Sequence, residues 1–388
     1  MIALLARELL TPTEAILNAV MLIEDGIIAA VGPRESVVVP SQAKLVDLGD
    51  AILAPGLIDL HIHGAAGHDV MDGNNGNFAA IEHFIARHGV TSYCPTTVTA
   101  PLDRTLNSLE RLGCAIARWE SRRRADGPRA RPVGIHLEGP FLSHARRGVH
   151  PPNLLQQPSL ELFERLCRAS GDTIRMLTIA PELDGALDVI REASQRGLVV
   201  SLGHSDAGVA QSRRALAMGA RHATHTFNAM RPFDHRNPGL LGVVLTDSSV
   251  TADIIADGTH VDPIAVELFI RSKGIERAVL ITDGISATGM PDGRYLLGSF
   301  EVEVRNGRCE ANGRLAGSLL TLDRAVRNAM DYARLSFQES VRLATLNPAT
   351  VLGIQDRKGQ LKPGADADVA VFSQRGAVIR TIAAGVMD

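Results

Sequence analysis

Residues 54–64 read Ala-Pro-Gly-Leu-Ile-Asp-Leu-His-Ile-His-Gly, and this stretch decides the prediction of the fold. The apolar run at 56–60 predicts a buried strand, and His61 and His63 stand at its end. Residues two apart in a strand point to the same side, roughly 6–7 Å apart, so both imidazoles can reach one metal ion. The alternative is a pair of packed or surface histidines.

The residues that follow repeat this theme. Amphipathic helical stretches, such as 78–88 and 206–218, separate most of the apolar runs. The eight predicted strands are 56–60, 89–94, 133–137, 174–179, 198–202, 222–226, 250–255 and 278–281. Eight strands alternating with helices over about 300 residues favour an α/β fold, a (β/α)₈ TIM-like barrel, over an open sheet. Residues 290–320 are Gly-rich and β-like, and we expect them to form a loop that folds over the mouth of this barrel.

Polar side chains follow the predicted strands at one end. They are His61, His63, Thr96, Thr97, Glu138, Pro181, Glu182, His204, His225, His260 and Asp283. In such barrels the C-terminal ends of the strands form the active-site face. Scattered surface polarity would not choose the same end of every strand, so the pattern predicts an enzyme active site there.

The two ends of the chain predict a second, smaller unit. Residues 15–23 and 27–31 near one end, and 359–362, 368–372 and 378–383 near the other, have β-like patterns with turns between them. Neither piece is long enough to bury a core alone, so we expect them to pair into a small β-sandwich domain. The predicted domains are therefore a discontinuous β domain of residues 1–53 and 356–388, and a metal-dependent catalytic barrel of residues 54–355.

Composition excludes several classes of protein. Of 388 residues, 45% are hydrophobic and 21% charged, which permits a large core and excludes a disordered chain. Forty Lys and Arg against 43 Asp and Glu leave a net charge of −3, so nucleic acid is not an expected partner. The basic run at 122–124, with Arg129 and Arg131, is interpreted as a solvated helix end.

Neither a membrane nor an oxidising compartment is expected. No apolar stretch approaches the ~18 residues that span a bilayer, and Arg7 and Glu8 interrupt any secretory signal, so we expect a cytoplasmic protein. The four cysteines lie far apart without a C-x-x-C motif, which predicts neither disulfides nor a thiolate zinc site.

Glu138, His204 and His225 form the best candidate metal site. A carboxylate placed directly after a buried strand needs a partner, and a cation is the usual solution. Two histidines and one carboxylate with room for water are typical of catalytic zinc. Taken singly, each of the three could instead be a buried and paired polar residue. Together they predict a divalent ion, with Zn²⁺ as the first choice.

Asp283 and His260 are the candidate catalytic residues. A carboxylate facing activated water can take its proton and pass it to a leaving group, which is the role predicted for Asp283. The alternative for Asp283 is a further metal ligand. His260 could polarise a carbonyl or hold the substrate, and the alternative is a structural histidine.

These motifs resemble the amidohydrolase superfamily of metal-dependent barrels. Blocks at 136–141, 203–205, 224–230, 256–260 and 315–318 resemble, more narrowly, the N-acetylglucosamine-6-phosphate deacetylase family. The similarity spans nearly the whole chain, and the His-Leu-Glu-Gly-Pro block at 136–140 is the most specific motif. The resemblance implies hydrolysis of a linear amide, which releases acetate and glucosamine 6-phosphate from N-acetylglucosamine 6-phosphate.

The resemblance also implies substrate contacts. Those to the sugar phosphate would come from Val149, His150, Asn228, Ala229, Asp257, Gly258, Thr259, His260, Leu315, Ala316 and Gly317. Arg236 would bind the phosphate, across the interface of a homodimer, and a guanidinium fork suits phosphate oxygens. The alternative for Arg236 is an ordinary exposed arginine.

The positions of the four lysines help to distinguish among the branches of this superfamily. Many members of the superfamily bridge two metal ions with a carboxylated lysine at a strand end. Lys44, Lys273, Lys358 and Lys362 are all placed elsewhere, which leaves Glu138 to bridge and argues against hydantoinase-like relatives. Since both His61 and His63 are present, one or two ions are expected. Three alternatives stay open: the same reaction on N-acetylgalactosamine 6-phosphate, a cyclic-amide hydrolase or deaminase, and a non-catalytic barrel used for assembly.

Overall fold

The computed structural model describes residues 1–11, 13–122 and 127–387. Arg123 and Arg124 of the predicted helix end lie outside the described residues, as does the side chain of Arg122. Arg129 is not solvated as expected. It is buried, and its Nε donates to Oε2 of Glu82 at 2.9 Å.

Eight parallel strands, here called the inner strands, form the centre of the molecule. In chain order they are Leu57–Ile62, Val90–Pro95, Ile135–Glu138, Ile174–Ile179, Val199–Leu202, His222–Ala223, Ala252–Ile255 and Ala278–Ile281. Ladders join the first strand to the second, the third through to the sixth, and the seventh to the eighth. All eight lie within three residues of the predicted bounds.

Backbone hydrogen bonds outside these ladders supply the remaining links between inner strands. Thr97 N–H donates to the His136 carbonyl at 3.0 Å, and Thr226 N–H donates to the Asp253 carbonyl at 2.9 Å. Asp283 N–H donates to the His61 carbonyl at 2.9 Å. Each inner strand is thus bonded to the next, and the eighth is bonded to the first.

Helices alternate with these strands. The α-helices are Asn75–Arg87, Leu102–Ala117, Trp119–Arg122, Leu160–Ala169, Ala186–Gln195, Val209–Ala217, Gly239–Thr246, Pro263–Lys273, Leu322–Ala333, Phe337–Leu343 and Leu346–Val351. Local chemistry sets their ends. In Pro263–Lys273, for example, the Asp262 side chain accepts from Ile264 N–H at 2.9 Å, Pro263 occupies the first turn, and Gly274 follows at φ +76°. Within the described residues, no helix is long and apolar enough to cross a membrane.

Both chain ends contribute to one seven-stranded sheet, here called the terminal sheet. Its strands are Ile2–Leu10, Ala15–Glu24, Ile27–Pro33, Lys44–Asp47, Ile52–Pro55, Val369–Phe372 and Val378–Ile382. Val369–Phe372 pairs antiparallel with Ile52–Pro55, so the predicted pairing of the two ends is present. The predicted β-like run at 359–362 forms no strand among the described residues.

The segment expected to cover the mouth is itself a sheet. Gly293–Leu297, Phe300–Arg305, Arg308–Ala311 and Arg314–Leu315 form four antiparallel strands, here called the covering sheet. Two Asn-Gly turns connect the last three strands, with φ +51° and +73° at Asn306 and Gly307 and +52° and +72° at Asn312 and Gly313. Positive φ at both central residues is typical of tight hairpin turns.

Candidate metal centre and active site

The Glu138 carboxylate lies at the centre of a group of histidines. Glu138 is the last residue of the third inner strand. Its Oε1 is 3.1 Å from Nε2 of His204 and 3.1 Å from Nε2 of His225, and these two nitrogens are 3.0 Å apart. The histidines stand two residues beyond the fifth and sixth strands, and all three side chains are buried. The ends of the third, fifth and sixth strands therefore bring together the predicted ligand set.

The second oxygen of Glu138 faces the histidines of the first strand. Oε2 lies 3.5 Å from Nε2 of His61 and 3.4 Å from Nε2 of His63, and these nitrogens are 3.2 Å apart. Within each of the two groups, the ligand atoms lie within 4.8 Å of one another. Glu138 belongs to both groups with one oxygen each, so the residues could hold one divalent ion or two.

The opposite ring nitrogens show which atoms the histidines present to this centre. Nδ1 of His63, His204 and His225 each lies within 3.2 Å of a backbone carbonyl oxygen, in turn that of Thr96, Arg146 and Asn228. A carbonyl only accepts, so Nδ1 carries a proton, and Nε2 is the nitrogen that presents a lone pair to this centre when the ring is neutral. Lone pairs and a carboxylate converging on one space fit a cation. His61 differs, because its buried Nδ1 has no hydrogen-bond partner among the described residues.

Three of the predicted residues adopt the left-handed backbone conformation. The angle φ is +47° at His204, +32° at His225 and +50° at Asp283. Residues other than glycine rarely adopt this conformation, which costs about 1–3 kcal/mol and persists where surrounding contacts enforce it. One such contact is the His225 N–H, which donates to the buried carboxylate of Asp253. The sharp turn at 225 also explains why the sixth strand ends at Ala223 rather than at the predicted residue 226.

The protein groups alone place protons on two of the histidines. Burial lowers the pKa of His204 to about 4. Burial acts in the same direction on His225, but the hydrogen bond to Glu138 and its charge outweigh burial and raise the pKa to about 9. The pKa of His63 is also about 9, because Asp283 and Glu138 outweigh the effect of burial. At neutral pH each protonated histidine therefore lies beside a carboxylate.

Asp283 faces the first-strand histidines from beyond the eighth strand. Its Oδ1 lies 3.1 Å from Nε2 of His63 and 3.4 Å from Nε2 of His61. Burial would raise the pKa of Asp283, but the hydrogen bond from His63 and the charges of both histidines lower it to about 2. At neutral pH Asp283 is a buried carboxylate that can accept a proton.

A cavity of about 130 Å³ adjoins this centre. The walls include Asp283 and four of the candidate ligands, namely His63, Glu138, His204 and His225. Of the predicted substrate contacts, the walls include Val149, His150, Asn228, Ala229, His260, Leu315 and Gly317. Sequence reasoning missed three further wall residues, Val98, Gly148 and Leu297. Leu297 and Leu315 belong to the covering sheet, so this sheet closes one side of the cavity.

The seventh strand ends at Ile255, as its predicted bounds require, and His260 lies five residues beyond it in the loop that follows. Nδ1 of His260 lies 2.7 Å from Oδ2 of Asp257, and the N–H groups of Thr259 and His260 donate to Oδ1 of Asp257. Nε2 is thus the ring nitrogen that can serve the cavity. Asp257, Gly258 and Thr259 shape this loop and are not among the described cavity walls.

Two other predicted contacts lie outside the cavity. Ala316 is fully buried between the wall residues Leu315 and Gly317. Arg236 is exposed, and its backbone N–H donates to Oδ1 of Asp234 at 2.8 Å. Among the described residues, no carboxylate forms an ion pair with the Arg236 guanidinium.

Sequence reasoning missed two carboxylates beneath the centre. Asp59 accepts from Thr282 Oγ1 at 2.6 Å and from His61 N–H at 3.3 Å. Asp253 lies 3.0 Å from Nε2 of His222, which is fully buried. A charged residue inside an apolar strand is the signal that could have identified both.

The lysines stay away from the centre, as predicted. Lys273 Nζ donates to the carbonyls of Val244 and Asp247, at 2.7 and 3.0 Å. Lys358 forms ion pairs with Asp366 and Asp368, which come long after Asp283 in the sequence. In the part of the chain that the structure describes, Glu138 is the group that both histidine pairs share.

The sequence of this chain matches a known protein family over most of its length. Residues 52–387 match the amidohydrolase family. The chain is 40% identical over 368 residues to the N-acetylgalactosamine-6-phosphate deacetylase of Escherichia coli O157:H7, which covers 95% of this chain and 94% of that one. It is 35% identical over 382 residues to the N-acetylglucosamine-6-phosphate deacetylase of Bacillus subtilis (strain 168), covering 97% and 94%.

A solved structure is similar over the whole length. It is a variant of the N-acetyl-D-glucosamine-6-phosphate deacetylase of Mycobacterium smegmatis in complex with N-acetyl-D-glucosamine-6-phosphate. The TM-score is 0.90 at 35% identity, and the match covers 100% of this chain and 98% of that one. The chain therefore belongs to the amidohydrolase family, in the branch that contains the N-acetylglucosamine- and N-acetylgalactosamine-6-phosphate deacetylases.

Proposed function

We propose that this protein hydrolyses N-acetylglucosamine 6-phosphate to glucosamine 6-phosphate and acetate, a reaction of amino-sugar metabolism. The observation that carries the proposal is Glu138 shared by two pairs of histidines, with Asp283 facing the same centre from the cavity wall. The relatives of matching length support the substrate, since they are named for this reaction and one structure holds the phosphorylated sugar.

We propose Zn²⁺ as the metal, held by Glu138, His204 and His225. Two imidazoles and one carboxylate fit the ligand preference of catalytic zinc, and His61 and His63 offer a place for a second ion. A divalent ion at these ligands supplies Lewis acidity, which activates water and polarises an amide carbonyl.

The chain's own groups move the proton and hold the amide. Asp283, ionised at neutral pH, accepts a proton from the attacking water as the water oxygen bonds to the acetyl carbon. Asp283 then donates that proton to the amide nitrogen as the C–N bond breaks, so the amine leaves neutral. His260, whose Nδ1 is fixed by Asp257, directs Nε2 at the acetyl oxygen.

The cavity walls and one loop residue hold the sugar phosphate. Val149, His150, Asn228, Ala229, Leu315 and Gly317 surround the sugar, while Asp257, Gly258, Thr259 and Ala316 keep their loops in shape. Arg236 binds the phosphate in the site of a second chain of a homodimer. Arg236 is exposed and is not among the described walls of its own cavity, which supports this role, and a guanidinium fork matches phosphate oxygens.

Acetate release is the measurement that tests the proposed reaction. Zinc-loaded protein is given N-acetylglucosamine 6-phosphate, its galacto epimer and unphosphorylated N-acetylglucosamine. A strong preference for the first supports the reaction and the phosphate requirement together. Activity on none of the three, with zinc bound, would contradict the proposal and favour a cyclic-amide substrate.

N-acetylgalactosamine 6-phosphate is the second candidate substrate. The 40% identity to an N-acetylgalactosamine-6-phosphate deacetylase favours it. The two sugars differ only in the orientation of the C4 hydroxyl, so the same cavity and the same proton transfers serve both. The ratio of kcat/KM for the two epimers decides between them.

Replacing Arg236 is expected to weaken substrate binding while sparing the chemistry. Arg236→Ala removes the phosphate contact, so we expect KM for the phosphorylated sugar to rise about 10- to 100-fold, equivalent to about 1.5–3 kcal/mol for a hydrogen bond to a charged group. Turnover of the unphosphorylated sugar should be unchanged, which serves as the control.

Mixing two variants that are each nearly inactive at a substrate concentration far below KM tests whether Arg236 acts across an interface. Mixed dimers of Arg236→Ala and Asp283→Asn chains contain one site with both Arg236 and Asp283 intact. We therefore expect activity to return when the two are refolded together. If Arg236 serves its own chain, the mixture stays as inactive as its components.

Zinc affinity is expected to rise with pH. His225 has a pKa of about 9 in the protein alone, so below this pH its proton must leave before the ion binds. Each proton displaced makes the apparent affinity rise about tenfold per pH unit up to about pH 9. Competition with a chelator of known affinity measures this slope. An affinity that is constant between about pH 6 and 8 would contradict the protonation of His225.

We propose, for the architecture, that the inner strands and their helices form a (β/α)₈ barrel of residues 54–355. The bond from the eighth strand to the first supports closure. Residues 1–53 and 356–388 form the smaller β-sandwich domain. Consecutive residues of one strand point to opposite faces, and Ala3 and Leu4 contribute to separate apolar clusters, which supports burial of both faces of the terminal sheet. A cytoplasmic location stays a prediction.

A further inference from the structure

Four buried polar side chains form a continuous hydrogen-bonded chain beneath the metal centre. Oγ of Ser201 lies 2.5 Å from Oγ1 of Thr224, which lies 2.7 Å from Oγ1 of Thr178. Oγ1 of Thr178 is 2.7 Å from Nε2 of His136, and Nδ1 of His136 is 3.0 Å from the carbonyl oxygen of Leu60. None of these residues is exposed to solvent. We call this set the buried hydroxyl chain.

The acceptor at one end fixes the direction of every bond. The Leu60 carbonyl can only accept, so Nδ1–H of His136 donates to it and Nε2 of the neutral ring accepts from Thr178. The Thr178 oxygen then accepts from Thr224, and the Thr224 oxygen accepts from Ser201. All four side chains are satisfied in one arrangement, and a fully satisfied network in a low-dielectric interior is rigid.

The buried hydroxyl chain ties together the strands that carry the metal ligands. Leu60 directly precedes His61, and Thr224 directly precedes His225. His136 stands two residues before Glu138 on the same strand, so both side chains point to the same side. Ser201 lies three residues before His204, on the strand that leads to it.

Thr178 lies on the fourth inner strand, which contributes no ligand to the centre. Its hydroxyl nevertheless joins the imidazole of the third strand to the hydroxyl that precedes His225. The hydrogen bond between His136 and the Leu60 carbonyl links the third strand to the first across the interior, although the second strand lies between them in the sheet. Packing alone does not require a hydroxyl here, because valine has almost the shape of threonine.

We propose that the buried hydroxyl chain positions the metal ligands, with Thr178 and Thr224 acting as positioning residues. By fixing the four ligand-bearing strands relative to one another, the chain keeps the histidine nitrogens and both oxygens of Glu138 at the spacing that a divalent ion requires. The inference rests on the proposed function only in that an ion binds at this centre.

Thr178→Val and Thr224→Val test this role, because they remove a hydroxyl and keep the volume. Zinc affinity is measured on each purified protein by competition with a chelator, with no substrate present. We expect about a 10- to 100-fold weaker zinc affinity, the loss typical of residues that orient metal ligands. At saturating zinc, kcat falls while KM for the substrate stays close to that of the unaltered protein.

Three further variants separate positioning from loss of stability. Thr178→Ser and Thr224→Ser retain the hydroxyl and should restore most of the zinc affinity. Thr345→Val removes an equally buried hydroxyl, which donates to the Val341 carbonyl at 2.8 Å and does not contact the centre. It is expected to lower the thermal midpoint and leave zinc affinity unchanged. Should either valine variant fail to fold, Ser201→Ala removes the end of the chain with the smallest change in volume.

The outcomes distinguish this inference from the proposed function. Valine variants that bind zinc as tightly as the unaltered protein would overturn the positioning role. Serine variants that bind zinc as weakly as the valine variants would overturn it as well. If the unaltered protein itself binds no divalent ion at this centre, the proposed function fails and the positioning role fails with it.

Discussion

Asp283→Asn is expected to abolish most turnover while leaving zinc bound. The asparagine side chain keeps the shape of aspartate but cannot accept a proton from water or return one to the departing amine. A positioned acid–base group contributes typically 10²- to 10⁴-fold, so kcat should fall by about that factor. KM for the phosphorylated sugar should change little, because the walls that hold the sugar are intact.

Zinc content decides between the two roles that the sequence leaves open for Asp283. As a proton carrier, Asp283 is dispensable for the metal, so the variant retains its zinc. If Asp283 is instead a further metal ligand, facing His61 and His63 at 3.4 and 3.1 Å, the Asp283→Asn variant would lose zinc together with activity. Asp323→Asn, which alters a buried aspartate paired with His88, is the matched control for stability and should keep full activity. Near-normal turnover of Asp283→Asn would exclude it as the base.

Glu138→Gln is expected to remove the metal itself. Both groups of ligand atoms contain this one carboxylate, so a neutral amide weakens both at once. Its charge also helps to raise the pKa of His225 and of His63 to about 9. We therefore expect a loss of zinc affinity larger than the 10- to 100-fold typical of residues that only orient ligands, and activity lost with it. Metal analysis after gel filtration measures the bound zinc.

Glu82→Gln is the control for this substitution. Glu82 is as buried as Glu138 and pairs with Arg129, so its replacement leaves a buried charge without its partner and lowers stability. It should nevertheless keep its zinc and its activity. Normal zinc content in Glu138→Gln would contradict the shared position of this carboxylate between the two histidine pairs.

The sequence predicted the inner strands and most of the centre because both follow from the pattern of residues within short stretches of the chain. An apolar run that ends in a histidine or carboxylate marks the strand and its functional end together, as at Glu138 and His204. The sequence marks His136 only as the first residue of the His-Leu-Glu-Gly-Pro motif. His136 stands two residues before Glu138, so both side chains point to the same side of the strand. This two-residue spacing could have predicted that His136 lies near the metal centre.

Other features could not be predicted from short stretches of sequence, because they depend on contacts between distant residues. The size of the cavity and its walls at Val98 and Gly148 depend on how distant loops meet. The burial of Arg129 depends on Glu82, a residue of another element whose contact no spacing reveals. The covering sheet was expected as a loop, although its two Asn-Gly pairs, at 306–307 and 312–313, are strong signals for hairpins.

The pairing of Val369–Phe372 with Ile52–Pro55 has a consequence for biosynthesis. The two strands are about 300 residues apart in the sequence, and the earlier one leads directly into the strand of His61 and His63. On the ribosome, which delivers the chain from its N-terminal end, Ile52–Pro55 therefore emerges long before its antiparallel neighbour. The nascent chain holds an unpaired strand edge next to its first candidate metal ligands until Val369–Phe372 has been made.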